Sequence, residues 1–264
     1  MTGAVADDLG AGRDRGDVHA GRAWGAPGGR GDNPVPAGDA VLLKRLVAGA
    51  NALLLDFDGP CVALFAEADR AAMMTALAEA AAAAGATMPT SLWESGDPML
   101  VLDWCRDQLE PVHCAVEQRL SLLEAELLTG LAPTPGLRQL WETAVRCGRV
   151  VAVVTNNNAM AAAGFLRRVL GEPPASLVVI GRVADRLDEL KPSPVPVLRA
   201  ADALGVEPAR CLLVGDSGSD MVAATAAGAT GVGLVRRAPK RSELLDGGAA
   251  ALIDDLATLT TAFG

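Results

Sequence analysis

Five short apolar runs punctuate this chain, at 52–55, 150–154, 177–180, 212–214 and 231–235, and none alternates apolar with polar residues. A strand with one face in water alternates. A strand buried on both faces does not, and such strands occur mainly in parallel sheets covered by helices. Stretches of helical pattern fall between the runs, at 136–147, 159–170, 195–204 and 220–227. Strand–helix alternation of this kind predicts an α/β fold built on a doubly wound parallel sheet. One interval breaks the rhythm. Residues 64–131 carry no strand signal but hold three helical segments. The first, 64–84, stops at Gly85; the second opens at Asp97-Pro98, an N-cap with proline behind it; the third, near 111–129, closes at Gly130. A helical block of that length is too long for an ordinary connection and reads as an inserted α-helical cap domain. The α/β core then comprises 39–63 and 132–264, with Pro133 and Pro135-Gly136 marking the return to the sheet.

Residues 1–38 are rich in Gly, Ala, Arg and Asp and lack hydrophobic periodicity. Such a segment buries too little surface to offset its ordering entropy, so it is expected to be a disordered extension. With 23 basic against 32 acidic residues, the formal net charge is -9. That balance, with no tyrosine, speaks against nucleic-acid binding, which needs a basic face. An anionic ligand would have to be attracted locally. The five cysteines, at 61, 105, 114, 147 and 211, form no C-x-x-C pair, which argues against zinc ribbons and disulfide frameworks. The first twenty residues carry Asp7, Asp8, Asp14 and Asp17 instead of an apolar signal core. No membrane span is readable, so the expectation is a soluble cytoplasmic protein, monomer or homodimer.

Polar clusters follow four of the structural units. In open parallel sheets, residues just beyond the strand ends converge on one edge, where ligands bind. Asp56-Phe57-Asp58-Gly59-Pro60 follows the first run. Its two carboxylates suit a nucleophile and a general acid/base, and Gly59 permits a turn and close backbone approach; a solvated Asp-rich turn is the plain alternative. Thr155-Asn156-Asn157-Asn158 follows the second run. A threonine hydroxyl and adjacent amides can hold a phosphate oxygen, or the asparagines can simply cap a helix. Lys191-Pro192 offers a compact positive charge for phosphate, or is a surface loop. Gly215-Asp216-Ser217-Gly218-Ser219-Asp220 follows the fourth run. Its two aspartates suit Mg²⁺, which usually takes one or two carboxylates plus waters and a substrate phosphate. Asp220 or Ser219 can equally cap the helix starting near Met221.

Taken together, the order D-x-D-G, T-N, K-P and G-D-x-x-x-D resembles the haloacid dehalogenase-like hydrolase superfamily over roughly residues 50–260. The resemblance implies a Rossmann-like core and attack on phosphorus by Asp56 to give an aspartyl-phosphate. It casts Asp58 as the acid/base, Thr155 and Lys191 as holders of the phosphoryl group, and Gly59 and Asn156 as further substrate contacts. Mg²⁺ would be held by Asp56, Asp216 and the backbone carbonyl of Asp58, with Asp220 either a further ligand or an anchor behind the ligands. The helical insert corresponds to that family's small cap, and Phe65, Trp93, His113 and Arg119 are candidates to touch the leaving group or simply to pack the insert. Many relatives carry threonine after D-x-D-G, where this chain has Pro60 followed by Cys61.

The implied function is a Mg²⁺-dependent phosphatase acting on a small phosphorylated metabolite, in the phosphoglycolate phosphatase-like branch. A sugar phosphomutase would use the same aspartyl-phosphate. A non-catalytic phosphate-ligand-binding protein on the same fold is the alternative from another class. Haloalkanoic acid dehalogenation fits less well, because it needs neither Asp58 nor the G-D-x-x-x-D aspartates.

Overall fold

The computed structural model describes residues 37–66, 68–171, 177–184 and 186–264. In chain order it contains helix α1 (Ala37–Gly49), strand β1 (Ala52–Leu55) and helices α2 (Arg70–Ala83), α3 (Thr90–Ser95), α4 (Pro98–Cys105), α5 (Glu110–Leu128) and α6 (Leu137–Arg146). There follow β2 (Val150–Asn158), α7 (Ala159–Leu170), β3 (Val178–Arg182), α8 (Val195–Leu204), β4 (Cys211–Gly215) and α9 (Gly218–Ala226). The chain closes with β5 (Thr230–Leu234), α10 (Lys240–Asp246), β6 (Ala251–Ile253) and α11 (Leu256–Ala262). The expected extension at 1–38 lies outside the described residues, except that residues 37–38 open α1.

The six strands form one parallel sheet in the order β3-β2-β1-β4-β5-β6. The doubly wound parallel sheet read from the apolar runs is therefore the observed fold. Every residue of β1 is buried, as its unbroken Ala-Leu-Leu-Leu run requires. Because β1 lies between β2 and β4, the strand order reverses beside it; this is the point where open α/β sheets bind ligands.

The sheet separates two apolar layers. On one side, Leu53, Leu55, Val151, Val153, Leu212 and Val214 belong to a large cluster. On the other, Leu54, Val154 and Leu213 pack with Val197, Ala200, Ala223 and Ala224 of α8 and α9. Alanines and glycines let these helices lie close. A Cβ on Gly231 would come within 2.9 Å of the Met221 sulfur. The larger cluster also takes in Met74 and Leu77 of α2, Val101 and Leu102 of α4, and Val116 and Leu120 of α5.

The helices between β1 and β2 differ from expectation at their ends. The first begins at Arg70 rather than 64, because the Leu64 amide donates 2.8 Å to the Asp58 carboxylate and Asp69 caps the helix instead, accepting from Ala72 N at 3.0 Å. Gly85 follows this helix with φ 93°, as a terminating glycine should. Asp97 caps α4 through Met99 N at 2.8 Å, ahead of Pro98. The short α3 and β6, and helices α1, α10 and α11, were not anticipated. Among the described residues, no helix is long and apolar enough to cross a membrane.

Candidate active site

The fold brings the sequence-marked residues to one edge of the sheet. Asp56 leaves β1 with its amide donating 2.8 Å to Val214 O of β4, so the first carboxylate is fixed beside the strand that precedes Asp216. Asp56, Asp216 and Asp220 each offer one carboxylate oxygen, and these three atoms lie within 4.8 Å of one another. Lys191, only 6% exposed, reaches the cluster from the loop before α8. Its Nζ donates to Asp56 Oδ1 at 2.7 Å, Asp220 Oδ1 at 2.5 Å and Val154 O at 2.9 Å. All three ammonium protons are thereby used. The Lys191–Pro192 peptide is cis.

Asp220 serves two ends. Its Oδ1 takes Lys191, while its Oδ2 accepts from Ser217 N at 3.1 Å and closes the N-terminus of α9. That helix starts three residues before Met221, with Ser217 as its N-cap. The cap expected at Asp220 or Ser219 thus falls on Ser217, with Asp220 closing the capping box from the third helical position while it also pairs with Lys191.

The turn after β1 is tight. Gly59 N donates to Val62 O at 2.7 Å, and Val62 N and Cys61 N both reach Phe57 O at 3.1 Å. None of these bonds needs an amide proton at position 60, so Pro60 fits the turn without losing one. Gly59 O accepts from Thr134 Oγ1 at 2.7 Å and from Arg236 Nη1 at 2.5 Å, which pins the loop to the far side of the sheet edge.

Burial governs the titration of this group. It raises Asp56 from 3.8 to about 7, helped by Asp220 and opposed by Lys191. It likewise raises Asp58 to about 7, with Asp56 adding to the effect. Asp216 rises to about 8 through burial and the neighbouring Asp58 and Asp220. Burial opposes the charge on Lys191, but Asp220 and Asp56 outweigh it and hold the ammonium above the usual lysine range. One lysine thus faces several buried carboxylates, and hard oxygen donors this close together fit a divalent cation such as Mg²⁺.

The second cluster sits within β2, which continues through Asn158 with a register shift between Val154 and Asn158. Thr155 is buried; its hydroxyl donates to Asn157 Oδ1 at 2.8 Å and accepts from Asn157 N at 3.1 Å. The Asn156 carboxamide donates to Lys191 O at 3.0 Å and accepts from Lys191 N at 2.8 Å. Its side chain therefore clamps the lysine loop instead of facing outward. Of the insert candidates, Phe65 is buried in the large apolar cluster, and His113 Nε2 lies 2.7 Å from Ala184 O. Trp93 is exposed and Arg119 half-buried on α5.

Three residues beside the site escaped the sequence reading: Glu124, Arg182 and Arg236. Arg236 follows the fifth apolar run, where the strand-end rule already pointed. Glu124 occupies a place in the α5 stripe Val112, Val116, Leu120, Glu124, Leu128, whose other members are apolar and buried. A carboxylate in such a stripe requires a cation, and Arg182 supplies it at 3.0 Å.

A family model for haloacid dehalogenase-like hydrolases matches residues 50–228. This chain belongs to the haloacid dehalogenase-like hydrolase family. It is 42% identical over 87 residues to a protein named phosphoglycolate phosphatase from Neisseria meningitidis, a match covering 33% of this chain and 36% of that protein. The chain thus spans about a third of that relative's length. A phosphoglycolate phosphatase of Xylella fastidiosa is 31% identical over 183 residues, covering 67% of this chain and 76% of the relative. Among solved structures, a hydrolase from Pseudomonas syringae superposes with a TM-score of 0.62 at 21% identity, covering 80% of this chain and 96% of that one. The fold shared with that structure therefore covers more of this chain than the family model does.

Proposed function

We propose that this chain is a magnesium-dependent phosphomonoester hydrolase acting on a small phosphorylated metabolite, with residues 64–131 as its cap. The observation carrying this reading is the buried Lys191 ammonium bonded to both Asp56 and Asp220, with Asp216 alongside. Mg²⁺ held by the carboxylates of Asp56, Asp216 and Asp220 and the carbonyl of Asp58 would supply the positive charge that keeps those groups ionised and offsets repulsion from a phosphate dianion.

The remaining work falls to side chains. Asp56 attacks phosphorus as the ester P–O bond breaks, and Asp58 gives its proton to the departing oxygen. Asp58, now a carboxylate, then takes a proton from the water that attacks phosphorus, which releases phosphate and restores Asp56. In the metal-free chain burial lifts Asp58 to about 7, which favours the protonated form that the first half needs. Lys191 lends its charge to Asp56, and Thr155 turns its hydroxyl to a phosphoryl oxygen. The insert covers the mouth and excludes water.

Purified protein should release phosphate from an aryl phosphate with Mg²⁺ and not with EDTA, and Asp56→Asn should abolish turnover. Turnover in EDTA, or an active Asp56→Asn protein, overturns the mechanism. A phosphate-release screen over metabolites, beginning with 2-phosphoglycolate because of the relatives' names, identifies the substrate. Isomerised sugar phosphate in place of free phosphate would favour a mutase.

A further inference from the structure

Asn156 and Lys191 lie 35 residues apart, yet they are joined by two hydrogen bonds. The Asn156 carboxamide oxygen accepts from Lys191 N at 2.8 Å, and the carboxamide nitrogen donates to Lys191 O at 3.0 Å. A backbone N–H only donates and a carbonyl only accepts, so the carboxamide has one workable orientation. Lys191 sits in the loop between β3 and α8, outside any helix or strand that could supply partners for its backbone. Among the described residues, the Asn156 side chain is the hydrogen-bond partner of both its N–H and its C=O. The anchor is itself held. Asn156 O accepts from Arg182 Nη1 at 2.8 Å, and the Arg182 side chain is fully buried.

The head and the backbone of Lys191 thus grip the same end of β2. Nζ donates 2.9 Å to Val154 O, two residues before Asn156, and its other protons go to Asp56 and Asp220. With no proton to spare, Lys191 acts on the site as a positive charge, and the strength of that action depends on where Nζ stands. The lysine stem is flexible, so the ammonium does not fix its own place. The bond to Asp56 also changes during the proposed cycle, because that carboxylate loses its own charge when it is joined to phosphorus. The bonds to Asn156 carry no such dependence and persist through both steps.

We propose that Asn156 is a positioning residue that holds the Lys191 charge beside Asp56 throughout phosphoryl transfer. Its effect on rate rests on the proposed phosphatase reading, in which Asp56 is the nucleophile; its hold on Lys191 does not.

Lysines occur only at 44, 191 and 240, and of these only Lys191 is buried, so its ammonium can be followed by itself. In the full chain labelled with ¹⁵N-lysine, Lys191 should give a resonance whose protons exchange slowly with water, identified by its loss in Lys191→Met. Asn156→Ala, with folding checked by circular dichroism, should speed that exchange about tenfold or more, the effect of two lost hydrogen bonds on local opening. It should also lower kcat for aryl phosphate by about 10–100-fold, as displacement of a charged group does, with KM within about threefold of wild type. Wild-type exchange in a folded Asn156→Ala protein overturns the proposal, as does a wild type with no slowly exchanging ammonium. An unchanged kcat also overturns it, and if KM rises at the same time Asn156 is a substrate contact. If Asn156→Ala does not fold, Asn156→Ser, whose shorter side chain cannot bridge both backbone groups, replaces it and the same outcomes are read. If the wild type releases no phosphate, the phosphatase reading fails, and the exchange rates alone decide whether Asn156 holds Lys191: faster exchange in the variant supports it and unchanged exchange refutes it.

Discussion

Gly59 shows how little slack surrounds the carboxylates. Its φ of +108° is one that side chains rarely adopt, and a Cβ there would lie 2.5 Å from both Cγ and Oδ2 of Asp216. Neither problem relaxes easily, because Gly59 O is tied to Thr134 and Arg236 and Gly59 N to Val62. Gly59→Ala should therefore displace Asp216 and cost on the order of 1–3 kcal/mol in backbone strain. Calorimetric titration should show weaker Mg²⁺ binding in a protein that still folds; wild-type affinity would mean that Asp216 is no ligand. The same crowding explains why the D-F-D-G segment is informative only in company. An aspartate-rich turn on a surface tolerates a side chain at glycine, whereas this one is wedged against the Asp216 carboxylate just beyond β4.

At the scale of elements, α5, one of the helices between β1 and β2, is tied to the end of β3 by ion pairs from Arg182 to Glu124 and Glu117. Removing one partner of such a pair strands the other charge, which typically costs about 3–5 kcal/mol. Arg182→Met should therefore lower stability by roughly that amount in urea unfolding, while adding Glu124→Leu and Glu117→Gln, which remove both stranded carboxylates, should recover much of it. A triple variant as unstable as the single would show that the bonds from Glu124 and Arg182 to Asn156 O, Asn157 Nδ2 and Asn158 N matter more than the stranded charges. This element also marks where the sequence stopped being readable. Strands β1, β2 and β4 were visible as unbroken apolar runs, and α7 and α8 by their period, because burial on both faces or on one stripe writes itself into local pattern. The carboxylates and Lys191 were visible because strand ends converge. The Arg182–Glu124 pair was hidden because its partners are 58 residues apart and each looks like an ordinary surface charge. Only the i, i+4 stripe on α5 betrayed Glu124. The side-chain role of Asn156 was hidden for a related reason: it bonds the Lys191 backbone, 35 residues away. Strand β6 is three residues long, too short for any pattern to register.

For the molecule as a whole, the net charge of -9 sits oddly with a phosphate ligand until its distribution is considered. Several of the acidic groups are concentrated in one buried place, which makes folding of the metal-free protein sensitive to pH. Asp56 and Asp58 titrate at about 7 and Asp216 at about 8 when folded, against 3.8 for an unperturbed side chain. Between roughly pH 4 and 8 the folded chain therefore keeps protons that the unfolded chain has released, so stability falls as pH rises through that window. One such group shifted by three units corresponds to roughly 4 kcal/mol, or on the order of 10 °C in Tm for a chain of this size. In EDTA, thermal melts should thus give a higher Tm at pH 5 than at pH 8. General repulsion in an acidic protein pushes the same way, so two further melts separate the causes. Added Mg²⁺ should raise Tm more at pH 8 than at pH 5, since a bound cation favours the charged carboxylates. Asp216→Asn should flatten the pH dependence in EDTA, although it changes the formal charge by only one. An unaltered slope in that variant would place the pH sensitivity in the surface and not in the site.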